Sequence, residues 1–266
     1  LKELAKPAYT HRYYVDGAPN MGDAFFSGNW HTVLIGGLNK GGQGIYALDV
    51  TDPSSFGASK VMWEFNDVGS GAAGETGDKD LGFTYSRPAV VRLNNNKWAA
   101  IFGNGYNNSD ADGNASTTGQ AALYIVDISD GTVIKKIPVP GGSAANPNGL
   151  ATPGAVDFNG DTNADYVYAG DLLGNVWKFD ITGSSTGSWG VAYNSSGTPV
   201  PLYVAQDARG NRQPITSRPE VGRGPNGNGM VILFGTGKFL EEGADKLATQ
   251  TMQSFYGIYD PNSGTA

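Results

Sequence analysis

A unit of two strands recurs four times along the chain, and this repetition constrains the fold more than any other feature. Each unit is an apolar strand, a turn or loop containing glycine, and a second strand that ends in Asp. The terminal aspartates are Asp49, Asp127, Asp180 and Asp260. An aromatic residue precedes each by three or four positions: Tyr46, Tyr124, Trp177 and Tyr256. Units repeated in this way are typical of architectures that stack one small sheet on the next.

A second marker introduces three of the units. The segments Ser86–Pro88, Ala151–Pro153 and Ser217–Pro219 each precede a short apolar strand, and their prolines are 65 and 66 residues apart. Proline is tolerated at the start of a strand because no ladder donor is needed there. The alternative is a β-sandwich built from the same hairpins, but a sandwich does not need recurring markers. The pattern therefore predicts an all-β chain with the blades of a β-propeller.

Four blades are predicted within one domain, residues 1–266. Their approximate bounds are 25–65, 88–139, 153–203 and 219–266. The last predicted blade stops after its third strand, counting the strand that follows its proline marker, and this leaves an edge without a partner. Either residues 10–30 supply the missing strand, or further blades follow Ala266. We expect the second, so that the chain is an incomplete part of a larger propeller.

Composition excludes several classes of function. The formal charge is −7 and no basic face is visible, so we expect no nucleic-acid partner. The absence of cysteine excludes a disulfide scaffold, a thiolate metal site and a Cys nucleophile. No apolar run approaches the roughly 20 residues that span a bilayer, so we expect no membrane insertion by this domain.

One motif carries coordination chemistry. The segment Asp157–Asp165 places oxygen-bearing side chains at positions 1, 3, 5, 7 and 9, namely Asp157, Asn159, Asp161, Asn163 and Asp165. Ca²⁺ takes six to eight hard oxygen ligands, so the pattern predicts a calcium site. Four of these residues would bind through side chains and Asn163 through its backbone carbonyl. The alternative is an Asn/Asp-rich turn that binds no ion.

The motif differs from an EF-hand. Position 6 is Thr162 rather than Gly, position 12 is Tyr168 rather than Glu, and a strand follows instead of a helix. We therefore expect a nine-residue calcium loop on a β-hairpin. A second cluster, Asp110, Asp112 and Asn114, has only three alternating donors and is interpreted as a plain turn.

Enzyme-like strings are present but lack their structural context. Gly183–Gly187 has the spacing of a nucleophile elbow and Gly222–Gly227 that of a dinucleotide loop. Both motifs need a following helix, and the sequence predicts none at either place. The two histidines, His11 and His31, are too few for a histidine metal cage. We expect no catalytic or organic-cofactor residues, and no enzymatic activity.

The chain resembles the C-terminal β-propeller of the PilY1/PilC family of type IV pilus tip-associated proteins. The resemblance covers nearly the whole chain. It is most specific at the calcium loop with its following strands and at the final Phe-Gly-Thr-Gly-Lys-Phe stretch. The segments that carry it are Asp23–Phe26, Trp30–Gly37, Gly44–Pro53, Phe102–Tyr106, Asp157–Asp180 and Phe234–Phe239.

The resemblance implies a secreted Gram-negative protein at the pilus tip or outer surface. Its partners would be major or minor pilins and a host or abiotic surface, and its roles pilus biogenesis, adhesion and twitching motility. Calcium in the family's D-x-N-x-D-x-x-x-D loop is thought to oppose pilus retraction, and the four side-chain positions of that pattern match here. The Arg-Gly-Asp integrin motif of some members is replaced by Arg209-Gly210-Asn211, so integrin binding is not implied. Family propellers have about seven blades.

Two other functions stay open from sequence. A quinoprotein dehydrogenase has similar blade ends, which Ala47–Thr51 and Trp63 approach, but the repeats here are irregular. A generic integrin-like or carbohydrate-binding propeller also carries acidic loops within its blades.

Overall fold

The structure is a computed structural model that describes residues 2–68, 75–110, 113–240 and 251–263. These residues are almost wholly β-strand and turn, as predicted. Their helical content is confined to short 3₁₀ helices: Glu3–Ala5, Asn39–Gly41, Pro53–Ser55, Ala58–Lys60, Thr186–Ser188 and Pro225–Gly227. Asp112 of the weaker acidic cluster lies outside the described residues. In the described part of the chain no helix has the length and apolar character to cross a bilayer.

The first sheet is an antiparallel meander extended by one parallel strand. Its strands are β1 (Asn20–Phe26), β2 (Asn29–Gly37), β3 (Gly44–Asp49), β4 (Val61–Asn66) and the parallel β5 (Glu75–Gly77). The second sheet has the same meander, formed by β6 (Ala89–Leu93), β7 (Trp98–Gly103), β8 (Ala122–Asp127) and β9 (Val133–Pro138). Its fifth strand, β11 (Asn163–Ala164), comes from the third repeat.

The third sheet is less regular. It contains β10 (Gly154–Val156), β12 (Tyr166–Gly170) and β13 (Asn175–Asp180), with the two-residue strands β14 (Gly190–Val191) and β17 (Tyr203–Val204) on the outer side of β13. The inserted β11 (Asn163–Ala164) leaves it to pair with β6. A small separate hairpin is formed by β15 (Asn194–Ser195) and β16 (Thr198–Pro199).

The fourth sheet has three strands among the described residues. They are β18 (Glu220–Arg223), β19 (Met230–Gly235) and β20 (Phe255–Asp260), all antiparallel. Residues 10–30 were one candidate for a further strand beside β20, but the strand that begins within them, β1, pairs with β2 in the first sheet instead. The outer edge of β20 is therefore not covered by the chain's own N-terminal segment.

Each sheet packs its face against the next, and the core lies in the three interfaces. Side chains between the first and second sheets include Ile45, Phe65, Phe102 and Tyr124. Those between the second and third include Ile101, Ile125, Trp177 and Phe179. Those between the third and fourth include Tyr168, Val176, Ile232 and Phe234. This serial face-to-face packing is the arrangement of propeller blades.

The repeated terminal Asp has a local structural role. In all four units its side chain accepts a hydrogen bond from the backbone N–H two residues later: Asp49 from Thr51 at 3.0 Å, Asp127 from Ser129 at 3.1 Å, Asp180 from Thr182 at 2.9 Å and Asp260 from Asn262 at 2.9 Å. In the first three units the Thr or Ser hydroxyl donates to the same carboxylate. Such turns satisfy backbone donors where the strand ends, so the terminal Asp acts as a stop signal for each strand.

Candidate metal centre

The predicted calcium loop connects β10 to β12 and contains β11. Its base is closed by backbone hydrogen bonds, in which the Asp165 N–H donates to the Val156 carbonyl at 2.8 Å and the Ile181 N–H donates to the Asp165 carbonyl at 2.9 Å. The loop therefore begins and ends on a fixed frame of neighbouring strands. This placement on a β-hairpin agrees with the interpretation of the sequence.

Asp157 organises the first half of the loop. Its Oδ1 accepts hydrogen bonds from the N–H groups of Gly160 at 2.6 Å and Asp161 at 3.2 Å. Its Oδ2 accepts one from the Thr162 N–H at 2.8 Å. Because three consecutive amides point at one carboxylate, the backbone must wrap around this side chain.

The next two donors each form a turn with the residue two positions later. Asn159 Oδ1 accepts the Asp161 N–H at 2.8 Å, and Asp161 Oδ1 accepts the Asn163 N–H at 2.8 Å. The second bond is the main reason that the pKa of the Asp161 carboxyl lies below its usual value. The alternating spacing in the sequence thus corresponds to successive turns that bring the polar side chains round one loop.

Asp165 lies beneath the loop rather than on its surface, with 2% of the residue exposed. Its Oδ2 accepts hydrogen bonds from the N–H groups of Phe158 at 2.8 Å and Asn159 at 3.1 Å. The last residue of the motif therefore holds its beginning in place. Sequence spacing did not indicate this burial.

The backbone conformation accounts for one departure from the EF-hand pattern. Gly160 has φ +85° and Thr162 has φ +74°. A β-branched residue in the left-handed region is a genuine outlier. Thr162 therefore supplies at position 6 the kind of conformation for which glycine is usual, and the Asp157 carboxylate that accepts its N–H holds it there.

The donor chemistry of the loop fits Ca²⁺, because every side-chain candidate offers a hard oxygen. Asp157 Oδ2, Asn159 Oδ1 and Asp161 Oδ1 each accept one backbone N–H and keep a second lone pair for coordination. Asn163 Oδ1 is buried without a hydrogen-bond partner. Among the described residues, however, no three Asp, Glu, His or Cys side chains are arranged to hold a metal as they stand. Coordination by Asp157, Asp161 and Asp165 together would require side-chain rearrangement.

The second sheet contacts the loop through a short parallel pairing and one amide side chain. In the pairing, Asn163 lies opposite Arg92 and Ala164 opposite Leu93. Asn94 Nδ2 donates to the carbonyls of Ala164 at 3.0 Å and Ile181 at 3.3 Å, and lies 3.3 Å from Asp165 Oδ1. Asn94 therefore joins the loop and the end of β13 to the second sheet.

The fourth sheet contacts the other end of the loop. Arg223, the last residue of β18, donates from its guanidinium to the Phe158 carbonyl and lies 4.8 Å from the centroid of the Phe158 ring. Three sheets thus meet at this loop. Nothing in the spacing of the motif predicted the roles of Asn94 or Arg223, which lie 71 and 58 residues from Asp165.

The chain matches known proteins along nearly its whole length. Residues 1–266 match the family described as the PilY1 beta-propeller domain. The chain belongs to the PilY1 β-propeller family. A Xylella fastidiosa type IV pilus biogenesis factor, a PilY1 homolog, is 43% identical over 98% of this chain and 17% of its own length. Pseudomonas aeruginosa PilY1 is 40% identical over 94% of this chain and 21% of its own length.

The crystal structure of the P. aeruginosa PilY1 C-terminal domain superposes with a TM-score of 0.78 at 39% identity, covering 94% of this chain and 50% of that one. The predicted resemblance to this family is therefore confirmed. The propeller fold class, which the sequence favoured over a β-sandwich, is confirmed as well. The chain spans about a fifth of the length of the curated PilY1 relatives it matches and half of the solved domain. These proportions are consistent with an incomplete part of a larger propeller.

Proposed function

We propose that this chain is a calcium-binding propeller module of a type IV pilus biogenesis factor. In this proposal the parent protein supports pilus extension, surface attachment and twitching motility from the pilus tip or outer surface. Pilins and a host or abiotic surface are its partners. The relatives that match the chain are described as type IV pilus biogenesis factors, which supports the pilus-associated role.

The observation that best supports the calcium proposal is the folding of the loop around its own side chains. Five oxygen-bearing residues lie at alternating positions, and Asp157, Asn159 and Asp161 are already fixed by backbone amides. Asp157, Asn159, Asp161 and Asp165 would hold the ion through side chains and Asn163 through its carbonyl. A bound Ca²⁺ would supply positive charge that offsets the repulsion among three carboxylates.

Contacts between the loop and the neighbouring sheets would carry the effect of calcium binding beyond the loop. Asn94 and Arg223 fix the loop to the second and fourth sheets. A change in the placement of Asp165 or Phe158 would therefore be transmitted to both neighbours. We propose that calcium tightens this three-sheet junction and that the tightened form favours extended pili.

The test is made in a type IV-piliated bacterium that carries this protein. Asp161→Ala removes a charge and a donor from the exposed side of the loop, and should change surface piliation or twitching. Asp207→Ala is the matched control, because Asp207 forms a similar turn, with the Asn211 N–H at 2.9 Å from its Oδ1, outside the loop. A phenotype that is equal for both variants, or absent for Asp161→Ala, would contradict the regulatory role.

A further inference from the structure

The strand markers found in the sequence converge on a cavity of about 360 Å³. This cavity lies where the first strands of all four sheets begin. It is lined by residues that include Asn20, Arg87, Thr152, Pro153, Arg218 and Glu220. Residues 87, 152 and 218 are the middle positions of the three markers, so the repeat itself places them together. The volume is within the range of small-ligand pockets. We call this space the strand-start cavity.

Hydrogen bonds between neighbouring sheets hold the wall of the strand-start cavity. Asn20 Nδ2 donates to the Pro88 carbonyl at 3.0 Å, which joins the first sheet to the second. The Arg87 N–H donates to Thr152 Oγ1 at 3.0 Å, which joins the second to the third. Since these are backbone and short side-chain contacts, the wall is formed before any ligand arrives.

The two arginines differ in how their charge is compensated. Arg87 Nη2 donates to the Pro19 carbonyl at 3.0 Å and lies 3.4 Å from Asn20 Oδ1, both neutral partners. Arg87 has no ion pair with any described residue. Arg218 lies 2.7 Å from Glu220 Oε1. The cavity thus carries a net charge of +1 in a chain whose formal charge is −7.

The remaining polar groups that line the cavity can form hydrogen bonds with the hydroxyl groups of a ligand. The Thr152 hydroxyl accepts the Arg87 N–H and keeps its proton to donate. Glu220 accepts from Arg218 through Oε1, and its Oε2 has no hydrogen bond to a described residue. Within the described part of the chain, one cation without an ion pair, one hydroxyl donor and one free carboxylate oxygen together suit a monoanion that carries hydroxyl groups.

We propose that the strand-start cavity binds a small hydroxylated carboxylate of the hexuronate class. Arg87 takes the carboxylate through its unused N–H groups, since a guanidinium matches the two oxygens of a carboxylate. Thr152 donates to a ring hydroxyl and Glu220 accepts from another. The inference is separate from the calcium proposal, because the cavity and the loop at residues 157–165 share no residue.

The test is calorimetric titration of the 266-residue chain with sodium glucuronate and with glucose, in buffer containing EDTA. We expect millimolar or tighter binding of glucuronate and at least tenfold weaker binding of glucose. Arg87→Gln should weaken glucuronate binding about tenfold or more, because it removes a charge-assisted contact. Arg209→Gln makes the same charge change in an exposed turn and should leave binding unchanged.

Thermal denaturation of each variant checks that the fold is retained. Equal binding of glucuronate and glucose would overturn the proposal, as would unchanged glucuronate binding in folded Arg87→Gln. Displacement of glucuronate by an equal concentration of sulfate would also contradict it, because sulfate has no hydroxyl to donate to Glu220.

Discussion

Lys178 Nζ lies 2.7 Å from Asp260 Oδ2, and both side chains are buried, with 2% and 0% exposed. Lys178 belongs to β13 and Asp260 ends β20, so this ion pair joins the third sheet to the fourth. The hydroxyls of Tyr168 and Tyr193 donate to the same carboxylate at 2.7 and 2.5 Å. Asp260, which marks the end of the fourth repeat, therefore also joins the third and fourth sheets through a buried ion pair.

Removing the cation should destabilise the chain strongly. Lys178→Met leaves the Asp260 carboxylate buried without its charge partner, which costs about 3–5 kcal/mol. Lys97→Met is the matched control, since Lys97 pairs with Asp127 at 2.8 Å but is 55% exposed, and exposed pairs contribute about 0–1 kcal/mol. Urea denaturation measures both. If both variants lose the same small amount of unfolding free energy, the buried pair does not stabilise the contact between the third and fourth sheets.

The same pair gives stability a defined pH dependence. Burial would raise the pKa of Asp260, but hydrogen bonds from Lys178, Tyr193 and Tyr168 outweigh it and lower that pKa. A carboxyl with a lowered folded pKa stabilises above its unfolded pKa of about 3.9 and loses that contribution as the pH falls through the folded value.

The loss caused by Lys178→Met should therefore be largest near pH 7 and should shrink below about pH 4. Urea denaturation of wild type and variant at pH 7, 5 and 3 measures this difference. A loss that stays constant over that range would mean that Asp260 does not titrate as argued.

Asn94 is expected to control the loop from outside the motif. Asn94→Ala removes its contacts with the Ala164 and Ile181 carbonyls, and each such hydrogen bond contributes about 0.5–1.5 kcal/mol. We expect lower stability and a severalfold loss of calcium affinity. Asn95→Ala, at the next residue, removes only a local turn bond to the Lys97 N–H and should leave calcium affinity unchanged. Calorimetry measures the calcium affinity of both variants. Equal affinities would show that Asn94 does not position the loop for calcium binding.

Local chemistry explains which parts of the fold were predictable. Asp49, Asp127 and Asp180 end their strands through contacts two residues away, so their pattern is visible in the sequence. The pairings of β5 with β4 and β11 with β6 are parallel additions of two or three residues. Segments this short carry no periodicity, and their partners are set by the packing of whole sheets.

The candidate metal centre divides in the same way. The alternation from Asp157 to Asn163 predicted a tight loop with its polar side chains turned inward, and the structure adds that three of them accept hydrogen bonds from the loop's own backbone. Asp165 has the same spacing, but its burial depends on strands that arrive from elsewhere. Contacts made by Asn94 and Arg223 join residues far apart in the sequence, and single polar residues in turns give no signal of such contacts.

We predict no dehydrogenase activity. The rival function required a quinone pocket, and the acidic loop and irregular repeats do not resemble one. Purified chain should not reduce a redox dye with an alcohol or sugar substrate, either alone or with added pyrroloquinoline quinone and Ca²⁺. Quinone-dependent dye reduction above that of a heat-denatured sample would contradict this and favour the enzymatic alternative.

Calcium binding to the purified chain, measured by calorimetry, tests the central claim most directly. We expect one Ca²⁺ per wild-type chain, with a dissociation constant between those of sensor loops and extracellular modules, about 10⁻⁵ to 10⁻⁴ M. Asp161→Ala should bind at least tenfold more weakly because it loses a charge and a ligand together, while Asp207→Ala should bind as wild type does. Equal calcium binding by wild type and Asp161→Ala, or no binding by either, would contradict the assignment of the loop.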